Sequence, residues 1–391
     1  MALTTYVLRL NRTLYGLRQA PRYFFKYLSA RLERQGLRAS NFDPCLFLSK
    51  DLIVVVYVDD LLLYARNDSI IDDFITRMQE HEDVVLRKEG TAEGFLGVDI
   101  QRVGSKTILT QSGLATRIVE ALGLCSKHSN ACSTPAECAT LPRDLDGTPA
   151  SGTINYASVV GMLLYLCGHS RPDIAFAVHQ CARYTFEPKR SHEVALLRIG
   201  RYLKGTLDKG LILNPTESFS IDCYPDADFA GLWGYEKPDD PHCVRSRTGY
   251  IITLAGCPVL WRSSMQTMIV LSTMESEYIA LSTACKDLFP LVDLLQELGG
   301  CLGIPISKNS NLHVRVHEDN VGALTLGKLE PRRMTPRSKH YAVKYHWFRS
   351  ELAPRNVVLQ KISTTDQLGD IFTKGLGRTI FERLRAQIMG W

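Results

Sequence analysis

Two spacings of apolar residues alternate along this chain, and each change of spacing marks a new element. Residues 53–58 and 61–64 are short, nearly continuous apolar runs rich in β-branched and aromatic side chains, which predicts buried strands. Asp59 and Asp60 stand between them, where a tight turn would join the two. Upstream, Gly16 and Pro21 punctuate a loop, after which Phe24, Leu28 and Leu32 repeat at helical spacing. Further helices are predicted over 70–82, 115–122 and 156–184. In 191–204, Leu196, Ile199 and Leu203 form an apolar stripe, with Arg198, Arg201 and Lys204 on the opposite side. Strand spacing returns at 220–228, 249–254 and 258–262, then at 312–320 and 357–362. A long helix from 275 toward 298 separates the two groups, and a last helix opens at 367. Residues 125–153, rich in Ser, Thr, Pro, Gly and Asp, predict a connector. The fold class is α+β.

Length and charge sharpen this picture. A chain of 391 residues divides into two or three domains with real cores. The net charge of +5 is mild but unevenly placed. Residues 1–40 carry eight Arg and Lys from Arg9 to Arg38 against Glu33 alone, and a second basic run extends from Arg332 to Arg355. Such clusters suit a polyanionic partner or simply solvate a helix face. The eleven cysteines have no framework spacing and read as reduced thiols. Cys125, His128, Cys132 and Cys138 lack the paired spacing of a structural zinc site. No apolar run reaches membrane-spanning length, and the start of the chain has no signal-peptide pattern. An intracellular protein with no membrane partner is expected.

The chemistry lies in the acids. Asp59 and Asp60 alone would be a solvated turn, but flanking strands would place both at a rigid sheet edge able to hold hard cations such as Mg2+. Asp226, Glu277, Asp319 and Asp370 recur at element ends, where a single acid is ordinarily a cap or a surface charge. The basic stripe of Arg198, Arg201 and Lys204 is either a solvated face or a row that tracks a phosphate backbone.

The segments Leu14-Tyr15-Gly16-Leu17-Arg18-Gln19-Ala20-Pro21-Arg22, Asn41-Phe42-Asp43-Pro44-Cys45-Leu46-Phe47 and Tyr57-Val58-Asp59-Asp60 resemble reverse transcriptases of copia-type LTR retrotransposons. The Tyr-x-Asp-Ala-Asp, Glu-x-Glu-Tyr-x-Ala-Leu, Asp-Asn and Gln-Leu-x-Asp contexts of the later acids match the ribonuclease H part of the same elements. The resemblance implies a partial reverse transcriptase palm over 1–115, a thumb-like helical region over 116–215 and a ribonuclease H-like mixed sheet with flanking helices over 216–391. Residues 95–100 would be the primer-gripping hairpin, and Tyr15 and Gly16 would line the nucleotide pocket. Asp59 and Asp60 would serve the polymerase, while Asp226, Glu277, Asp319 and Asp370 would hold two Mg2+ or Mn2+ ions for hydrolysis of RNA in an RNA–DNA hybrid. Alignment to the Glu-Tyr-x-Ala-Leu core selects Glu277 over Glu275. The family's first catalytic Asp should precede Leu14, yet residues 1–11 contain no acid, which implies an N-terminally truncated polyprotein piece with an incomplete polymerase site. RNA template and DNA primer would be partners of the intact parent. The rival readings are a nucleic-acid-binding module without turnover and an inert remnant of a decayed element. Oligomeric state is not legible.

Overall fold

The computed structural model describes residues 10, 13–14, 16–82, 84–90, 93–126, 130–216, 219–237, 240, 243–303, 312–333 and 343–391. Its chain contacts define two compact units, one of Met1–Ala92 with Asp293–Ser307, the other of Glu93–Val292 with Lys308–Trp391. Among the described residues the strands form three sheets, and no helix is long and apolar enough to cross a membrane.

In the first unit, helix α1 (Ala20–Arg34) is followed by strands β1 (Arg38–Ala39), β2 (Leu46–Leu48), β3 (Leu52–Tyr57) and β4 (Asp60–Ala65), then by α2 (Asp68–Glu82). Pro21 sits in the first turn of α1, where its missing N–H costs nothing. The four strands pair antiparallel in chain order. Only one face of β3 is buried: Leu52, Val54 and Val56 pack with Leu28 and Leu32 of α1 and Phe74 and Met78 of α2. The guanidinium of Arg34 joins the helices through Glu82, with Nε 2.9 Å from Oε2.

The second unit opens with β5 (Gly94–Phe95), β6 (Val98–Val103) and β7 (Lys106–Thr110), followed by α3 (Ser112–Ala121), α4 (Tyr156–His169), α5 (Ala175–Ala182) and α6 (Arg190–Lys204). Strand β8 (Leu211–Leu213) returns to pair with β7. Strands β9 (Ser220–Asp228), β10 (Arg245–Leu254) and β11 (Cys257–Ile269) follow, then helix α7 (Thr273–Leu302), which this unit holds as far as Val292. Strand β12 (His313–Glu318), helices α8 (Val321–Gly327) and α9 (Phe348–Leu352), strand β13 (Val357–Lys361) and α10 (Arg378–Met389) complete it. The five-stranded sheet has the order β11-β10-β9-β12-β13. Its first three strands are antiparallel, whereas β12 runs parallel to both β9 and β13. This is the mixed sheet with flanking helices that the resemblance implies.

The helical region expected over 156–184 holds two helices, α4 and α5, parted at Ser170-Arg171-Pro172, because proline removes an N–H and pushes the preceding residue out of helical conformation. One predicted helix differs. At 367 only a 3-10 turn forms, Leu368–Phe372, and α10 begins at Arg378. Residues 130–153 hold no helix or strand, yet Thr134 is buried and the Pro142 carbonyl lies 2.9 Å from Nε2 of His192.

The break after α4 places a charge in the core. Arg171 is 1% exposed and grips Asp173 with Nε and Nη2 at 2.9 and 2.8 Å, while Nη1 donates to the Thr206 carbonyl at 3.0 Å. Tyr202 donates to the same carboxylate at 2.6 Å. Removing one partner of such a pair strands the other without solvent, a cost of about 3–5 kcal/mol. Arg171→Met is therefore expected to lower the urea-unfolding free energy of the chain by about that amount. A loss below about 1 kcal/mol, the ordinary effect of a surface change, would show that the pair does not hold this core together.

Candidate active site

The polymerase-like acids lie on the hairpin between β3 and β4. Tyr57 pairs with Asp60, so the loop is the two residues Val58 and Asp59, and Asp60 already belongs to β4. The expectation that both acids occupy the turn is thus corrected by one residue of register. Val58 has φ +56°, a sparsely populated value for a β-branched side chain and one that hairpin turns usually give to glycine. Asp59 and Asp60 are both exposed. Gly16 is exposed too, with φ +90° just ahead of α1. Tyr15 lies outside the described residues.

The later acids meet at one end of the mixed sheet. Carboxylate oxygens of Asp226, Glu277 and Asp319 all lie within 4.8 Å of one another. Asp226 comes from β9, Glu277 from the second turn of α7, and Asp319 from the residue after β12. Asp226 is 2% exposed and Glu277 5%. Asp370, on the 3-10 turn, adjoins them: its charge acts on Asp226, and its Oδ1 lies 2.7 Å from Lys374 Nζ.

Local chemistry explains why these acids point inward. Ser272 precedes α7 and its Oγ accepts from the Glu275 N–H at 3.2 Å, while Glu275 Oε2 accepts from the Leu271 N–H at 3.0 Å. Glu275 is therefore occupied with capping the helix, and Glu277 is the acid that enters the cleft. Gln266 of β11 steadies that turn by donating from Nε2 to the Ser276 carbonyl at 2.9 Å and to Thr248 Oγ1 at 3.0 Å. The 3-10 turn approaches the sheet closely only because two glycines allow it. A Cβ on Gly249 of β10 would fall 2.7 Å from Phe372 Cβ, and one on Gly369 would fall 2.6 Å from Asp226 Cβ. The Thr373 hydroxyl then donates to Asp226 Oδ2.

Crowding is written into the electrostatics. Burial first, then the charges of Asp370 and Asp319, push the Asp226 carboxyl up to about 7. Burial and the charges of Asp226, Glu318 and Asp319 push Glu277 up to about 11. Glu318, fully buried at the end of β12, is also driven well above the carboxylate range, chiefly by burial. Burial opposes the charge on Lys374, but Asp226 and Asp370 outweigh it and raise its pKa. Glu318 and Lys374 escaped the sequence reading, although each sits beside a predicted acid, Lys374 one helical turn after Asp370.

The basic stripe on α6 is not an open row. Arg198 reaches Glu137 Oε1 at 3.1 Å and Thr134 Oγ1 at 2.9 Å, and Lys204 donates to the Ser126 carbonyl at 2.6 Å. The segment after α3 lies over this face, so two of its cations serve the protein itself. Arg201 is partly buried, and its carbonyl accepts from the Cys132 N–H at 3.4 Å. Of the cysteine–histidine set considered for zinc, His128 lies outside the described residues.

Residues 3–138 match the reverse transcriptase (RNA-dependent DNA polymerase) family. The retrovirus-related Pol polyprotein from transposon TNT 1-94 of Nicotiana tabacum is 30% identical over 392 residues, covering 96% of this chain and 28% of that protein. The corresponding polyprotein from transposon RE1 of Arabidopsis thaliana is 31% identical over 387 residues, covering 98% of this chain and 25% of that one. A solved complex of LC11-RNase H1 with an RNA/DNA hybrid is similar over 38% of this chain and 88% of that one, at 20% identity and a TM-score of 0.24. The chain spans roughly a quarter of the length of these polyproteins, 28% and 25%. Along nearly all of its length it belongs to the copia-type LTR retrotransposon polyproteins.

Proposed function

We propose that this chain carries the ribonuclease H activity of such a polyprotein and cuts the RNA strand of RNA–DNA hybrids in a metal-dependent reaction. The observation that carries this reading is the buried meeting of Asp226, Glu277 and Asp319 within 4.8 Å, with Asp370 alongside. Burial and crowding favour the protonated forms of Asp226 and Glu277, and a bound cation would supply the counter-charge that lets them ionise. The donor set is all oxygen and anionic, which fits a hard divalent cation, and the buried Glu277 Oε2 has no hydrogen-bond partner among the described residues. Asp226, Glu277 and Asp319 would hold Mg2+ or Mn2+, with Asp370 completing a two-metal site. Bound there, the ions would activate the attacking water and stabilise the leaving oxygen of the phosphodiester. The protein's own part is positional: the capped first turn of α7 aims Glu277, Thr373 fixes Asp226, and Lys374 neutralises Asp370. RNA-directed DNA synthesis, on an RNA template with a DNA primer, we reserve for the intact parent polyprotein.

The electrostatics supply one test. Asp226 rises from an ordinary value of about 3.9 to about 7 in the folded chain. Its contribution to stability is therefore fully present below about pH 4 and is lost as pH rises through about 7. In metal-free protein, thermal stability is expected to fall across that window, and Asp226→Asn to flatten that fall by removing the group that titrates there. Mg2+ or Mn2+ at about one hundred times its Kd should restore about 2.7 kcal/mol at pH 8 and much less at pH 5, because binding requires ionised carboxylates. Equal metal effects at both pH values would count against the assignment.

Hydrolysis supplies the other. The 391-residue chain with Mg2+ or Mn2+ is expected to cut the RNA of a hybrid and to spare duplex DNA, which lacks the 2′-hydroxyl. Asp319→Asn should reduce cutting at least about a hundredfold while hybrid binding persists and weakens with salt. A wild-type chain that binds hybrid yet leaves the RNA intact with either metal would replace the nuclease by a binding module.

A further inference from the structure

The parallel ladder between β9 and β12 stops short of the acids. Its last pair is Cys223 with Val316. Beyond it the strands part, and Pro225 has no N–H with which to continue the pairing. The side chain of Gln367, 0% exposed, occupies this fork. Its Nε2 donates to the Pro225 carbonyl at 2.8 Å and to the His317 carbonyl at 3.3 Å, and its Oε1 accepts from the Gly369 N–H at 3.1 Å. Each of these three backbone groups directly precedes a segment that bears an acid: Asp226 follows Pro225, Glu318 and Asp319 follow His317, and Asp370 follows Gly369.

We propose that Gln367 is the positioning residue of the metal-holding site, a single planar amide that sets the spacing of Asp226, Asp319 and Asp370. The inference rests on the reading of these acids as a divalent-metal site. Repulsion among the carboxylates pushes the ends of β9 and β12 apart, and the ladder that would resist it has already ended. The amide supplies the missing rungs with both of its N–H groups and anchors the 3-10 turn with its oxygen, all at a fully buried position. No other side chain of this size does the same. Glu would add a charge to the crowd and lose both donors, Leu would keep the volume and lose every bond, and Asn is one methylene too short to span both carbonyls. Metal ligands held by such outer partners typically lose 10–100-fold in affinity when the partner is removed. Glu277 is independent of this clamp, being aimed by the α7 cap and Gln266.

The test is Mn2+ binding by the full chain, followed by electron paramagnetic resonance, with urea unfolding measured in parallel. Gln367→Leu is expected to weaken Mn2+ at least tenfold. Gln360→Leu is the control for simple loss of a polar contact, since Gln360 Nε2 lies 3.0 Å from His317 Nδ1 across the neighbouring pair of strands, β13 and β12. It should leave Mn2+ affinity within twofold. If Gln367→Leu does not fold, Gln367→Asn takes its place with the same tenfold expectation. Mn2+ affinity within twofold of wild type in the folded Gln367 variant, or an equal loss in Gln360→Leu, overturns the positioning role while the metal site stands. A wild-type chain that binds no Mn2+ overturns the metal-site reading itself, and the role of Gln367 with it.

Discussion

Mutual repulsion of carboxylates in a buried cleft is the force around which the second unit is arranged. Three of them approach within 4.8 Å, and Glu318 and Asp370 stand beside them. Water would screen such charges, but Asp226 and Glu277 are almost wholly withdrawn from it. Everything near the cleft opposes the resulting drift. Lys374 offers a positive charge, Thr373 a hydroxyl, and Gln367 an amide across the fork of the strands. A divalent cation, held there as proposed, would relieve the strain that folding imposes.

That force acts on a rigid frame. The glycines at 249 and 369 let the 3-10 turn lie directly against β9 and β10, and the backs of Ile371 and Phe372 then enter the same core as α3 to α6 and α10. The acids are therefore anchored through the turn to a large apolar cluster, which also surrounds the buried Arg171–Asp173 pair. In the first unit the sheet is half covered by α1 and α2, with Asp59 on the β3–β4 turn, where Val58 has a positive φ, and Asp60 at the start of β4.

Much of this was legible in the residues. Strand 220–228 has the bounds of β9, and the alternation at 312–320 and 357–362 places β12 and β13 to within two residues. The contexts of Asp226, Glu277, Asp319 and Asp370 name the acids that the fold brings to one end of the sheet. What escaped has a common cause: it depends on partners distant in sequence. Periodicity cannot show that Arg198 and Lys204 turn toward the segment around residues 126–137. Nor can it show that Arg349, counted within a basic run, is 4% exposed and spends its guanidinium on the carbonyls of Arg333 and Pro331. Gln367 belongs to the same class, since a lone glutamine before a turn carries no signal until the strands on either side are known. The choice of Glu277 over Glu275 rests on the Glu-Tyr-x-Ala-Leu context, and one local signal went unread: Ser272-Thr273-Met274-Glu275 is a capping pattern, in which the Glu275 carboxylate turns back to the Leu271 N–H.

The account stands on the claim that the acids form a divalent-cation site. Anomalous diffraction from crystals of the chain soaked in Mn2+ tests it most directly. The expected result is anomalous density at about 2.0–2.3 Å from carboxylate oxygens of Asp226, Glu277 and Asp319, in the range of oxygen ligands to hard divalent cations. Density absent from the cleft at millimolar Mn2+, or acids turned away from one another, would contradict it.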